Sequence, residues 1–248
     1  MKNSRNFVAL ICLLLVFISG AIAVSAADIA FSTESLEQED VETILSNVNI
    51  TKLSNEPSKK VIQCFSVNND GAIAVGCGNQ NKKTVCIYNS EGIFQYGYSF
   101  QTAGSFGIEL KDDILYIYFV RSDIALAIDP DGQIKSVTRI QNTIENNSYW
   151  NHSVFSTKRS TEQYEYVIKN NLGIFNVFAS SYSQLTKTDA YGNETVIYDV
   201  NNIQQFRVYS TLFLLVAFLS IGVYTLFFRF RKSRSQCDRV GSAKTGPA

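Results

Sequence analysis

Hydrophobic residues fall in two regimes along this chain of 248 residues. Long uninterrupted runs lie near each end, and between them apolar and polar positions alternate with the period of two that marks strands with a buried face. The alternation begins at Val61. It predicts strands over Val61–Val67, Ala72–Cys77, Val85–Tyr88 and Ile93–Phe100, then over Phe106–Leu110, Ile114–Val120, Ile124–Ile128 and Ile134–Ile140. A looser third set covers Tyr149–Thr157, Gln163–Lys169, Gln184–Thr188 and Glu194–Asp199.

Turn chemistry separates these strands, and one turn recurs. An Asp or Asn followed three residues later by Gly stands between the third and fourth strands of each set: Asn89 to Gly92, Asp129 to Gly132, Asp189 to Gly192. The carboxyl or carboxamide bonds the turn backbone, and Gly supplies the positive φ that closes the hairpin. These glycines lie 40 and then 60 residues apart, the added length coming from the polar stretch Gln141–Ser148 and an enlarged connection, Asn170–Ser183. Four short strands every 40 or so residues is the periodicity of propeller blades. Residues 61–200, through "FSVNNDGAIAV…TVCIYNSEGIFQYGYSF" and "ILYIYFV…IALAIDPDGQIKSV", resemble β-propeller repeats of the NHL or six-bladed type. A closed propeller has at least four blades, and three sets are present. The resemblance therefore implies an all-β domain of about three four-stranded blades, as an open or incomplete propeller or a curved β-meander.

The terminal runs place this domain against a membrane. Lys2 and Arg5, the apolar stretch Phe7–Ile18 and the small residues Ser19–Ala27 have the three parts of a secretory signal over residues 1–27. An uncleaved anchor is the alternative, because Phe7–Val24 carries no charge. Val208–Phe228 is uncharged over 21 residues, about 31 Å as a helix and enough to cross a bilayer. Arg231, Lys232 and Arg234 follow it, while only Arg207 flanks the other side. Positive residues stay in the cytoplasm. The expected order is a signal (1–27), an acidic leader with one short helix or none (28–60), an exported β-rich repeat domain (61–206), one transmembrane helix (207–228) and a basic cytoplasmic tail (229–248). In the leader, Ser35 and Gln38 have capping-box spacing.

Charge narrows the partners. The chain is neutral overall, but its ends carry +2 and +5, which leaves the middle at −7. An acidic middle without a basic patch argues against nucleic acid. The Asn, Ile, Tyr and Lys usage, with sparse Pro, is of a bacterial rather than a secreted-animal kind.

Candidate chemistry is thin, and no cofactor or metal is expected. Cys64, Cys77 and Cys86 are an odd count without a CxxC; Cys77 and Cys86 flank one hairpin closely enough for a bridge, and small core residues are the plainer reading. His152, the single histidine, falls on an expected strand with no nucleophile motif beside it. Asp129 and Asp131 alternate before Gly132, but the further ligands of a calcium loop are missing. Four Asn-x-Ser/Thr sites (Asn49, Asn146, Asn151, Asn193) are no more than chance supplies.

The sequence thus points to a membrane-anchored binding or interaction protein, with a signal-transducing sensor or a surface hydrolase or lyase as alternatives. Unpaired faces on the outer blades lead to the expectation of a homo-oligomer or a protein partner. The residues picked out for contact are Leu172, Ile174, Phe175, Val177 and Phe178, apolar side chains in a connection that belongs on the surface. The alternative is that this insert folds back and fills the open side of the array.

Overall fold

The computed structural model describes residues 30–179 and 181–242, so the expected signal segment lies outside them. The leader forms β1 (Thr33–Ser35), α1 (Gln38–Val48) and β2 (Thr51–Leu53). Three antiparallel sheets follow. Sheet 1 takes β3 (Ile62–Val67), β4 (Ile73–Asn79), β5 (Lys82–Tyr88) and β6 (Phe94–Gln101) in chain order, with β2 added beside β6. Sheet 2 takes β7 (Phe106–Lys111), β8 (Ile114–Phe119), β9 (Ile124–Ile128) and β10 (Ile134–Ile140), with β1 added beside β10. Sheet 3 takes β11 (Lys158–Ser160), β12 (Tyr164–Lys169), β13 (Gln184–Asp189) and β14 (Glu194–Asp199). The sheets stay open, and α3 (Asn201–Ser242) leaves directly from the end of β14.

The leader is stitched to the β region. Glu34 pairs with Arg139 on β10, and Lys52 pairs with Tyr98 on β6, so two outer edges that would otherwise expose unpaired backbone are closed. Between them α1 lays Val41, Ile44, Leu45 and Val48 against the core shared by sheets 1 and 2. The capping box does not form. Pairing with Thr138 holds Ser35 in β1, and Glu37, at the N-cap, makes no side-chain cap.

Sheet 1 is the middle layer. Its Ala74, Val85, Ile87 and Phe100 pack on Ile108, Ile117 and Leu126 of sheet 2, while Phe65, Ile73, Val75 and Tyr88 pack on Tyr166, Ile168, Leu185 and Tyr198 of sheet 3. Both outer faces are finished within the chain. The far side of sheet 3 is polar apart from Val167 and Val196, with ion pairs Lys158–Glu165 (2.6 Å) and Lys169–Glu194. The far side of sheet 2 is covered by the segment expected as the strand Tyr149–Thr157.

That segment is helical. Thr143 accepts a hydrogen bond from the Asn146 N–H (3.1 Å) and caps α2 (Ile144–Tyr149), which continues into a π-helical turn, Trp150–Val154. The physical reason is the cover it provides. Phe31 sits between the rings of Tyr118, Tyr149 and Trp150, with centroids 4.8–4.9 Å away. Val154 presses onto Gly107, where a Cβ would stand 2.1 Å from its Cγ1. A strand could not offer these side chains on one face.

The repeated turn is the same object each time. In it, Asn89, Asp129 and Asp189 accept from the N–H four residues on (2.9, 2.7 and 2.9 Å), and Gly92, Gly132 and Gly192 stand at φ 81°, 89° and 86°. A fourth copy, Asn68 to Gly71, joins β3 to β4 instead.

Candidate functional site

Two places bring chemistry-bearing side chains together. The first is the junction between the Asn170–Ser183 connection and the start of α3. Here Val200 continues straight from β14, and the buried Gln204 reaches back, its Nε2 donating to Asn170 Oδ1 (2.8 Å) and to the Ser181 carbonyl (2.7 Å). Gln205 Nε2 lies 3.4 Å from the Asn171 carbonyl. Leu172 is buried, and Gly173, at φ 59°, turns the chain into a 3-10 segment, Gly173–Phe178. Asn176 Oδ1 accepts from the Leu172 N–H (2.9 Å) and holds that turn shut.

The five predicted contact residues therefore divide. Leu172 is core, Phe175 is half-buried with its ring edge-on to Tyr209 at 5.9 Å, and Ile174 and Val177 stand 85% and 80% exposed. Phe178 closes the segment, its side chain outside the described set. The open side of the sheets is covered by α2 and the π-helical turn, while this insert lies along α3.

The helix itself is almost bare. Among Asn201–Thr225, 6% of the apolar window is buried, and Phe213, Leu214, Val216, Phe218, Leu219 and Val223 all face outward. A core helix of a soluble domain would hide such a surface; one in a bilayer need not. α3 has the length and the surface of a single membrane span, with the large β region on one side and a short helical tail on the other.

The second place is a polar cleft of about 600 Å³ between sheets 1 and 3. The β3–β4 turn (Asn69, Asp70, Gly71), Ser90, Thr161–Gln163 and the inward face of β12 and β13 line it. Lys187 donates to the Ser90 carbonyl (3.0 Å) and lies 3.8 Å over the Tyr164 ring, so its charge is already engaged. Tyr166 has no exposed surface, and its hydroxyl has no hydrogen-bond partner; burial pushes its pKa above the ordinary tyrosine value. Neither the cleft nor Tyr166 was singled out from the sequence, because its walls come from four separate stretches.

Elsewhere several polar and titratable groups are tied into the fold. Glu109 accepts from Tyr118 (2.7 Å) and from Tyr149, fastening α2 to sheet 2. Asp129 is bound by Lys135 (2.7 Å) and the Gln133 N–H, and those bonds hold its carboxyl below the usual value. His152 is exposed on the π-helical turn, not on a strand, with Nδ1 2.9 Å from the Ser148 carbonyl. Asn146 is buried against the Ser32 backbone, which removes it from the modification sites that motif spacing suggested.

Cys64, Cys77 and Cys86 are free buried thiols. Register explains why Cys77 and Cys86 do not face each other: Cys77 stands opposite Thr84, and Cys86 opposite Val75. Burial pushes their pKa values up to about 11 and about 12, and Cys64 higher still. Among the described residues, no three His, Cys, Asp or Glu side chains gather as a metal ion would require. No protein-family description and no curated protein matches the chain.

Proposed function

We propose that this chain is a single-pass, membrane-anchored binding protein whose β region faces the extracytoplasmic side. The observation that carries the reading is the uncharged and almost wholly unburied surface of α3 from Tyr209 to Thr225. Export is supported by the signal-like residues 1–27, and orientation by the basic residues beyond Phe228. Descent from a propeller-type repeat belongs to the proposal, supported by three four-stranded units that share one turn. The polar cleft is the proposed ligand site. Its lining has hydrogen-bonding side chains of both kinds, Asp70 and Glu162 as acceptors and Asn69, Thr161 and Gln163 able to donate, and so suits a polar, hydroxyl- or amine-bearing ligand.

Two experiments test this. Protease added to intact cells or spheroplasts is expected to remove the β region and spare a C-terminal tag; a tag digested from outside overturns the orientation. Crosslinking and affinity purification from native membranes, repeated with Gln163→Ala, is expected to lose the bound species at the cleft. Identical recovery from both proteins removes the cleft from the proposal.

A sensor is the second reading, favoured by one feature. No linker separates β14 from α3, and Gln204 locks the first turn of the helix to the insert. A displacement of sheet 3 would therefore be carried into the span. Deleting residues 233–248 is expected to abolish output if the tail passes a signal, and an unchanged phenotype removes this reading.

A further inference from the structure

We propose that the Gly173–Phe178 segment is an interfacial foot, resting Ile174 and Val177 in the headgroup–acyl boundary of the bilayer that α3 crosses. This rests on the reading of α3 as a membrane span. The depth of the segment follows from its partners along the helix. Asn171 is bonded at the level of Gln205, and Phe175 meets Tyr209, four residues farther on, about 6 Å down the helix axis. The uncharged run begins at Val208. The segment thus descends alongside the helix to the first turn of the run that enters the lipid.

What it presents at that depth suits an interface. Residues 170–179 carry no charge, and their two most exposed large side chains are aliphatic. Leu172 is buried and Gln204 bonds the Asn170 side chain before the segment and the Ser181 carbonyl after it, so the exposed pair is held on a fixed base. Tyr209 lies at the same level, where an amphipathic ring is favoured. Continuity with the span selects lipid as the occupant, since any surface that covers Ile174 must share its level with the top of α3. Apolar side chains placed this way sit about 5–10 Å into the boundary. The foot would give the domain a second point of contact and so fix its tilt as well as its distance from the membrane.

Tryptophan depth measurements on the full chain in phosphatidylcholine nanodiscs test the foot. Ile174→Trp and Val177→Trp are read against the parent protein, whose single tryptophan, Trp150, gives a constant background. The lipids carry bromine either near the headgroup or near the chain ends. Tyr191→Trp is the control above the membrane, because Tyr191 is 92% exposed in the β13–β14 turn, at the opposite end of the hairpin from α3. Phe218→Trp is the control within the span. The foot is expected to be quenched at least about twofold more by bromine near the headgroup than by bromine near the chain ends, with Tyr191→Trp unquenched. If Ile174→Trp and Val177→Trp follow Tyr191→Trp while Phe218→Trp is quenched, the foot is overturned and the span stands. If Phe218→Trp is unquenched as well, both fall. Shielding of the foot from aqueous acrylamide without quenching by brominated lipid would mean a protein covers it, and that too overturns the proposal.

Discussion

The Tyr166 hydroxyl is buried without a hydrogen-bond partner. A buried hydroxyl without a partner costs about 1–3 kcal/mol, and a functional site is where a fold accepts that cost. Tyr166→Phe is therefore expected to raise the unfolding free energy by about 1 kcal/mol. Urea titration checks this; a destabilised variant would show that a water or side chain already satisfies the hydroxyl. Surface carboxylates act in the opposite sense. The carboxyl of Asp189 is held below its ordinary value, first by the Asn193 side chain and then by the Asn193, Tyr191 and Gly192 backbone. A depressed folded-state pKa gives stability that is present above the unfolded value of about 4 and lost as pH falls through the folded value. Asp189→Asn is thus expected to lower the melting temperature at pH 7, by a deficit that shrinks as the pH falls below the unfolded value. A deficit that does not change with pH would assign the loss to geometry instead of charge.

Elements were legible in the sequence where burial follows one simple period, and illegible where tertiary contact decides. The strands Ile124–Ile128 and Ile134–Ile140 have the expected bounds, because continuous or alternating apolar residues flanked by turn residues admit little else. Continuity also carried unread information. "IALAI" is apolar on both faces because sheet 2 is covered on both, whereas the alternation of "YEYVIK" fits a sheet whose far side is polar. Residues 149–157 defeated the reading, since Tyr149, Trp150, Val154 and Phe155 suit a strand by composition and a helix only once Phe31 and Gly107 are placed beside them. That dependence can be tested. Gly107→Ala puts a methyl group in steric overlap with Val154 and close against Trp150, forces the cover to shift, and is expected to cost about 1–3 kcal/mol. The amides of Ile144–Val154 should lose hydrogen-exchange protection before those of sheet 1. Uniform loss across the domain would mean that the helical cover does not open as a separate unit.

At the scale of the whole molecule, the arrangement is a stack whose outer faces are finished by its own segments and whose last sheet passes directly into the span. Terminal repeats need polar caps, and here the ion pairs of sheet 3 and the aromatic cover of sheet 2 supply them. The candidate site was half legible for a related reason. An apolar insert in a surface connection is visible in sequence, but its place beside α3 depends on Gln204 and Gln205, polar residues just ahead of an apolar run that resemble an ordinary flank. Gln204 carries the last prediction. Removing it leaves the Ser181 carbonyl and the Asn170 side chain without that donor in a buried joint, a loss on the order of 1–3 kcal/mol. If the joint opens locally, Gln204→Ala in nanodiscs should speed amide exchange over residues 201–208 by about tenfold, the equivalent of about 1.4 kcal/mol. Sheets 1 and 2 should be unaffected, since they share no hydrogen bond with this side chain. Unchanged exchange at residues 201–208 would mean that backbone continuity from β14 alone holds the helix, and the rigid coupling on which a sensor depends would have to lie elsewhere.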